Sequence, residues 1–275
     1  MSEFLMGIAQ PGQAPSILVS AMSLGMFCIS FFVADPGGVI TLVGVILACL
    51  ASFIVFFHRD PERFIPRDEN LILSPADGKI MFVERERSTG RRPTKEESKS
   101  GKIVSEPLMG DWYPEPLSKP LSFNTEQRWE PVPVGSEHTS DVIRIAIYMS
   151  PLDVHVQRSP CKSKVVAMEH RTGKGHSRGP FRKASKKESE GNERVRTVLQ
   201  SDDGMLIEIN QISGALARTI IPFCSISDQL NRGQRYGMIR LGSRVDIRVP
   251  ANGITPLVEP NNMVLAGSSP LFRIE

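Results

Sequence analysis

The sequence predicts an α+β protein, a mainly antiparallel β catalytic domain behind an N-terminal two-helix membrane anchor. Two long uncharged runs precede residue 58, and no Lys or Arg occurs before Arg59. Beyond residue 70 the pattern changes to short β-type runs separated by turn residues. The first two observations specify the anchor, and the third the β domain.

The anchor is expected over residues 1–57. Phe4 to Ala34 carries no charge, and its dense apolar part, 17–33, is the first span. The second, Val39 to Phe57, has nineteen uncharged residues, just enough at about 1.5 Å per residue to cross a hydrocarbon core of about 30 Å. Ala34-Asp35-Pro36-Gly37-Gly38 between them reads as a helix stop and a tight turn, so the two spans form a hairpin. A cleaved signal peptide fits poorly, because there is no basic n-region and a second apolar run follows at once. Arg59, Arg63 and Arg67 follow the second run. By the positive-inside tendency that end is cytoplasmic, and the remainder of the chain with it.

Residues 58–275 form the second domain. Candidate strands are 71–73, 79–83, 142–148, 164–168, 195–199, 205–212, 218–221, 245–249, 255–258 and 271–274. The stretch 87–140, rich in Pro, Ser, Glu and Lys, reads as a loop insertion, with Trp112, Tyr113 and Trp129 as aromatic staples. Arg171 to Lys187 holds seven basic residues and no acid, which suits anionic headgroups or a solvated loop alike. A charged fraction of 23% beside 40% hydrophobic residues excludes a wholly disordered chain. The net charge of +3 is mild, and no nucleic-acid partner is expected. Cys28, Cys49, Cys161 and Cys224 form no CxxC pair and no metal-ligand spacing, so neither a disulfide framework nor a metal site is predicted.

Three segments carry chemistry. Ser74-Pro75-Ala76-Asp77-Gly78-Lys79-Ile80 is a turn leading into a strand, where an aspartate such as Asp77 more often caps the turn than catalyses. Tyr148 to Pro160 holds His155, which alternates with Val154 and Val156 at a strand end and can titrate near neutrality. Gly237 to Asp246 contains Gly242-Ser243. The Ser243 hydroxyl lies beside the Gly242 carbonyl, and glycine lets the backbone expose that carbonyl to attack.

Taken together, in the order Asp, His, Gly-Ser, these segments resemble the phosphatidylserine decarboxylase family. His58-Arg59-Asp60-Pro61 looks like the family's entry motif, Asn192-Glu193-Arg194 like its central motif, and Arg235 to Asp246 like its self-cleavage segment. Ala266-Gly267 matches a pair in the closing strand. The likeness covers roughly residues 53–86 and 141–275. The short tail and Arg244 after the serine resemble the short subclass, with Leu241 in place of the usual Phe and Gln157 in place of the usual Asn.

The resemblance implies a proenzyme. His155 takes the Ser243 proton while Asp77 orients the imidazole, and Ser243 attacks the Gly242 carbonyl. β-Elimination then leaves chains 1–242 and 243–275 bound as a heterodimer, and the dehydroalanine left from Ser243 hydrolyses to a pyruvoyl group capping the second. That covalent cofactor forms a Schiff base with the serine amine of phosphatidylserine in the membrane and drains electrons as carbon dioxide leaves, giving phosphatidylethanolamine. A homodimer is implied by the resemblance alone. Two rivals explain less. A membrane-tethered carrier or binding module accounts for the Ser-Pro-Ala-Asp-Gly turn but not for Gly242-Ser243. A metallopeptidase requires paired histidines that His155-Val156-Gln157 does not supply.

Overall fold

The computed structural model describes residues 7–33, 35, 38–88, 140–171, 192, 194–214, 220–240 and 242–275. The chain forms two compact units, Met1–Glu62 and Arg63–Glu275. The first holds two helices long and apolar enough to cross a membrane, α1 (Gln10–Phe32) and α2 (Val39–Phe57). The second helix coincides with its expected span. The first begins earlier than residue 17, because Pro11 is tolerated in a first turn whose N–H groups lack helical partners anyway. Across the hairpin the Ser23 hydroxyl donates to the Gly44 carbonyl at 2.9 Å. Asp35 accepts the Thr41 N–H at 3.0 Å and the Thr41 hydroxyl at 3.1 Å, which fixes the turn. At the other end Ala9 N–H donates to His58 O at 2.8 Å and Asp60 N–H to Gly7 O at 2.6 Å. The His58-Arg59-Asp60 motif thus closes the base of the hairpin.

The second unit is built from antiparallel strands: β1 (Leu71–Leu73), β2 (Gly78–Ser88), β3 (Ser140–Met149), β4 (Val156–Arg158), β5 (Ser163–Arg171), β6 (Arg194–Ser201), β7 (Leu206–Ile212), β8 (Ile220–Pro222), β9 (Gln229–Leu230), β10 (Arg235–Ile239), β11 (Ser243–Pro250), β12 (Ile254–Pro256), β13 (Met263–Val264) and β14 (Pro270–Ile274). Eight of them form one sheet in the order β13-β2-β3-β11-β7-β6-β5-β9. Two three-stranded sheets, β4-β10-β8 and β1-β14-β12, complete the unit.

The predicted strands are all present, most of them extended at one or both ends. Four short ones, β4, β9, β10 and β13, were not expected. Each has few residues and little apolar alternation, so their pairing depends on distant partners that periodicity does not register. The expected insertion 87–140 is shorter at both ends, since Arg87 and Ser88 belong to β2 and Ser140 to β3; its remainder, 89–139 with Trp112, Tyr113 and Trp129, the basic stretch 172–187, and Glu193 and Leu241 lie outside the described residues.

Alternation along β3, β7 and β11 sends Ile143, Ile145, Ile147, Ile207, Ile209, Val245, Ile247 and Val249 into the main core. The intervening residues Arg144, Glu208, Asn210, Arg244, Asp246 and Arg248 are polar, yet they too are buried. Such groups are tolerated out of water only when paired, and these form a ladder. Asp246 receives Arg244 at 2.6 and 2.8 Å and Arg144 Nε at 3.0 Å, while Glu208 receives Arg248 at 2.7 Å and Asn210 Nδ2 at 2.6 Å.

Candidate active site

Strand register gathers the three expected site residues at one end of the large sheet. Tyr148 pairs with Lys79 of β2 on one side and with Arg244 of β11 on the other. Asp77 lies two residues before Lys79, and Ser243 one before Arg244. The turn that leads to His155 begins as β3 ends at Met149.

Asp77 is held by groups far away in the chain. Its Oδ2 accepts from Arg63 Nη2 at 2.7 Å, and its Oδ1 accepts the Ala266 N–H at 2.8 Å. Burial pushes the carboxyl pKa upward; the Ala266 N–H and Arg63 pull it back without cancelling the rise. Gly78, at φ +144°, follows directly, and a Cβ there would stand 2.2 Å from the Tyr148 carbonyl oxygen. Only glycine lets β2 start this close to β3.

His155 is fully buried just ahead of β4. Its Nδ1 faces the Asp153 carbonyl oxygen at 2.8 Å, so the ring proton sits on Nδ1 and Nε2 is the basic nitrogen. Asp153 is itself fixed, since its carboxylate accepts the Ser150 N–H at 2.7 Å. The contact orienting Nδ1 is therefore a backbone carbonyl of the same turn, while the Asp77 carboxylate engages Arg63 and Ala266. Val154 and Val156 are buried as well, so alternation alone does not separate the histidine from its neighbours.

Ser243 opens β11 and is fully buried, while Gly242 before it adopts φ +62°. That left-handed conformation is open to glycine and strained for most other residues. The Ser243 hydroxyl donates to Met149 Sδ at 3.3 Å. The same sulfur accepts from Gln157 Nε2 at 3.7 Å, which also donates to His155 O at 2.7 Å. Gln211 Nε2 donates to Gln157 Oε1 at 2.8 Å and fixes that amide. A buried chain Ser243–Met149–Gln157–His155 therefore joins the serine and the histidine through side chains and one backbone carbonyl.

Next to Ser243, Arg244 anchors the strand. Burial works to raise the Asp246 pKa, but Arg144 and Arg244, with Arg248 behind them, outweigh it and hold the carboxyl well below its ordinary range. Arg244 also lies 5.0 Å from the centre of the Phe82 ring.

Sequence reasoning missed Arg63, Met149 and Gln211 as parts of the site. It singled out Ala266 only as half of a matching pair, and Gln157 only as a departure. No local signal marks an arginine or a backbone N–H that acts across the fold.

Comparison with known proteins adds an independent line. Residues 50–271 match the model of the family described as phosphatidylserine decarboxylase. A phosphatidylserine decarboxylase proenzyme of Symbiobacterium thermophilum is 33% identical over 84% of this chain and 84% of its own. One from Erythrobacter litoralis is 35% identical over 83% of this chain and 76% of its own. A Methanopyrus kandleri protein, provisionally named an archaetidylserine decarboxylase proenzyme, is 32% identical over 82% and 84%.

Proposed function

The chain belongs to the phosphatidylserine decarboxylase family, and on that footing we propose that it cuts itself between Gly242 and Ser243 and works on phosphatidylserine at the cytoplasmic face of a membrane. It is a carboxy-lyase of phospholipid biosynthesis made as a proenzyme, and the product is phosphatidylethanolamine. Nothing favours the carrier reading.

The observation that carries the cleavage site is the left-handed Gly242 ahead of a buried Ser243 on a strand paired on both sides. His155, through Nε2, takes the hydroxyl proton, and the Ser243 oxygen attacks the Gly242 carbonyl. The peptide bond becomes an ester, elimination at Ser243 releases residues 1–242 with a C-terminal carboxylate and leaves a dehydroalanine, and water hydrolyses that residue to the pyruvoyl group with loss of ammonia. The electrostatics of Asp77 keep the imidazole in its working state, with Arg63 and the Ala266 N–H holding the carboxylate. The site suits a pyruvoyl group made from Ser243, because such a group is no bulkier than the serine it replaces and stays on a strand locked into the sheet. A pyruvoyl carbonyl supplies the electron sink for decarboxylation of the headgroup. His155 returns the proton that takes the place of carbon dioxide.

The 33-residue chain 243–275 remains in place. β11 pairs with β3 and β7, β13 with β2, and β14 with β1, so both edges of the short chain lie in sheets shared with the long one. The Arg59, Arg63 and Arg67 cluster after α2 supports the cytoplasmic assignment. A serine headgroup on an archaeal-type backbone undergoes the same chemistry, and the Methanopyrus relative favours testing both lipids.

Intact-mass analysis tests the proposal. Wild-type protein should yield a 33-residue fragment with a blocked, carbonyl-bearing N-terminus, and Ser243→Ala should remain one chain. A wild type that releases carbon dioxide while uncut overturns it.

A further inference from the structure

The described part of the second unit leaves five large apolar side chains exposed: Phe64, Leu152, Leu257, Met263 and Leu265. Single exposed apolar residues are ordinary in soluble domains. Here, however, four of the five surround the end of the sheet that carries Asp77 and Ser243. Phe64, 82% exposed, follows the arginine bound to Asp77. Leu265, 47% exposed, precedes the residue whose N–H binds the same carboxylate. Met263 pairs with Lys79, in the row that runs on through Tyr148 to Arg244. Leu152, 70% exposed, crowns the turn between Met149 and His155.

These side chains are held outward by structure. Leu152 lies in a turn tied by Asp153 N–H to Ser150 O at 3.0 Å, by Ser150 N–H to the Asp153 carboxylate at 2.7 Å, and by Leu152 N–H to the Ser150 hydroxyl at 3.3 Å. The Phe64 carbonyl accepts from the Ser268 hydroxyl at 2.8 Å, and Leu265 N–H donates to the Ser269 hydroxyl at 2.9 Å. Lys79, exposed within the same rim, adds a cation. A fixed apolar collar with a basic member around a reacting centre matches the chemistry of an anionic lipid surface, with tails for the apolar side chains and phosphate for the lysine.

We propose that Phe64, Leu152, Met263 and Leu265 form a collar that dips into the lipid interface and lets the site take its headgroup without extracting the lipid. The proposal rests on the decarboxylase reading and goes beyond it, since it assigns a bilayer-docking surface to the catalytic unit itself, separate from the helical hairpin.

The test uses the full chain in vesicles of phosphatidylcholine with phosphatidylserine, compared with short-chain phosphatidylserine supplied as monomers. In Phe64→Glu/Leu152→Glu the self-cleaved fragment should form normally. The ratio of vesicle turnover to monomer turnover should drop by roughly tenfold or more, because two carboxylates oppose an anionic surface and apolar contact is lost. An unchanged ratio overturns the proposal, and so does loss of a dimer with no change in ratio, which would assign the patch to a second copy. A second arm needs no turnover. In a Trp112→Phe/Trp129→Phe background, Leu152→Trp should be quenched by brominated phosphatidylcholine far more than Gln229→Trp, an exposed position on β9 at the opposite edge of the large sheet. Equal quenching overturns the collar. Quenching at Leu152→Trp without any carbon dioxide release would leave the collar standing and sink the decarboxylase reading.

Discussion

The hydroxyl of Ser243 donates to the sulfur of Met149, 3.3 Å away, across the first rung of the β3–β11 pairing. A thioether is a weak acceptor. It keeps the Ser243 hydroxyl ordered and, on the proposed mechanism, competes only feebly with a nitrogen base for the same proton.

Replacing the sulfur should therefore release the hydroxyl. Met149→Leu keeps the volume and should speed self-cleavage by about two- to tenfold, the value of one modest hydrogen bond. A time course of fragment appearance measures it. A slower or unchanged course would show that the sulfur does not compete for that proton.

Arg63, with the Ala266 N–H, opposes the upward pull of burial on the Asp77 pKa. Burial holds the Asp77 carboxyl pKa above the ordinary aspartate value, so its ionised form, and on the proposed mechanism self-cleavage with it, is lost on acidification at a higher pH than usual. Arg63→Met removes one of the groups that lower this pKa and should move the acid limb of the self-cleavage profile to higher pH. Arg63→Lys, which keeps the charge, should move it less. A merely structural arginine would lower the rate at every pH without shifting the limb.

Asp246 ties the stability of the fold to pH. Its pKa in the fold is depressed by the surrounding arginines, so its stabilisation is fully present above the unfolded value of about 3.9 and fades as pH falls below it. Asp246→Asn leaves Arg144 and Arg244 without their shared carboxylate and should cost about 3–5 kcal/mol at neutral pH. Thermal unfolding from pH 6 down to pH 3 should show the gap between wild type and variant narrowing.

Gly78→Ala is expected to disrupt the site from its floor. The added methyl meets the Tyr148 carbonyl, and backbone on both strands leaves little room to yield. The variant should accumulate as uncut, poorly folded chain, read by limited proteolysis. A soluble, cleaved Gly78→Ala protein would refute the close approach.

Particular residues show how much was legible in the sequence. Strands such as β3 and β7 announced themselves because both combine apolar runs with turn residues at their ends, and α2 because its length matches a bilayer. Gly242-Ser243, His155 and Asp77 stood out only through their order and the segments around them. Other features escaped because they are long-range. The Ala266 N–H reaches Asp77 from the turn between β13 and β14, and Gln211 reaches Gln157 from a different sheet. β4 and β10 are stabilised by pairing with each other, and Gly237 within β10 weakens any local strand signal. The carbonyl of Asp153 could not be foreseen as the partner of His155 Nδ1, since backbone oxygens are present at every position.

Cleavage ahead of Ser243, as proposed, gives the mature enzyme a one-way history through the paired edges of β11. Before the cut, the last 33 residues search for their places as part of a single chain, at the cost of closing a loop. Afterwards they are a separate molecule, and their return to the sheet becomes a bimolecular encounter that dilution opposes. Working enzyme that is fully unfolded therefore has no unimolecular route back. Its lifetime is set by how slowly the strands let go, and each active copy descends from a precursor that folded once.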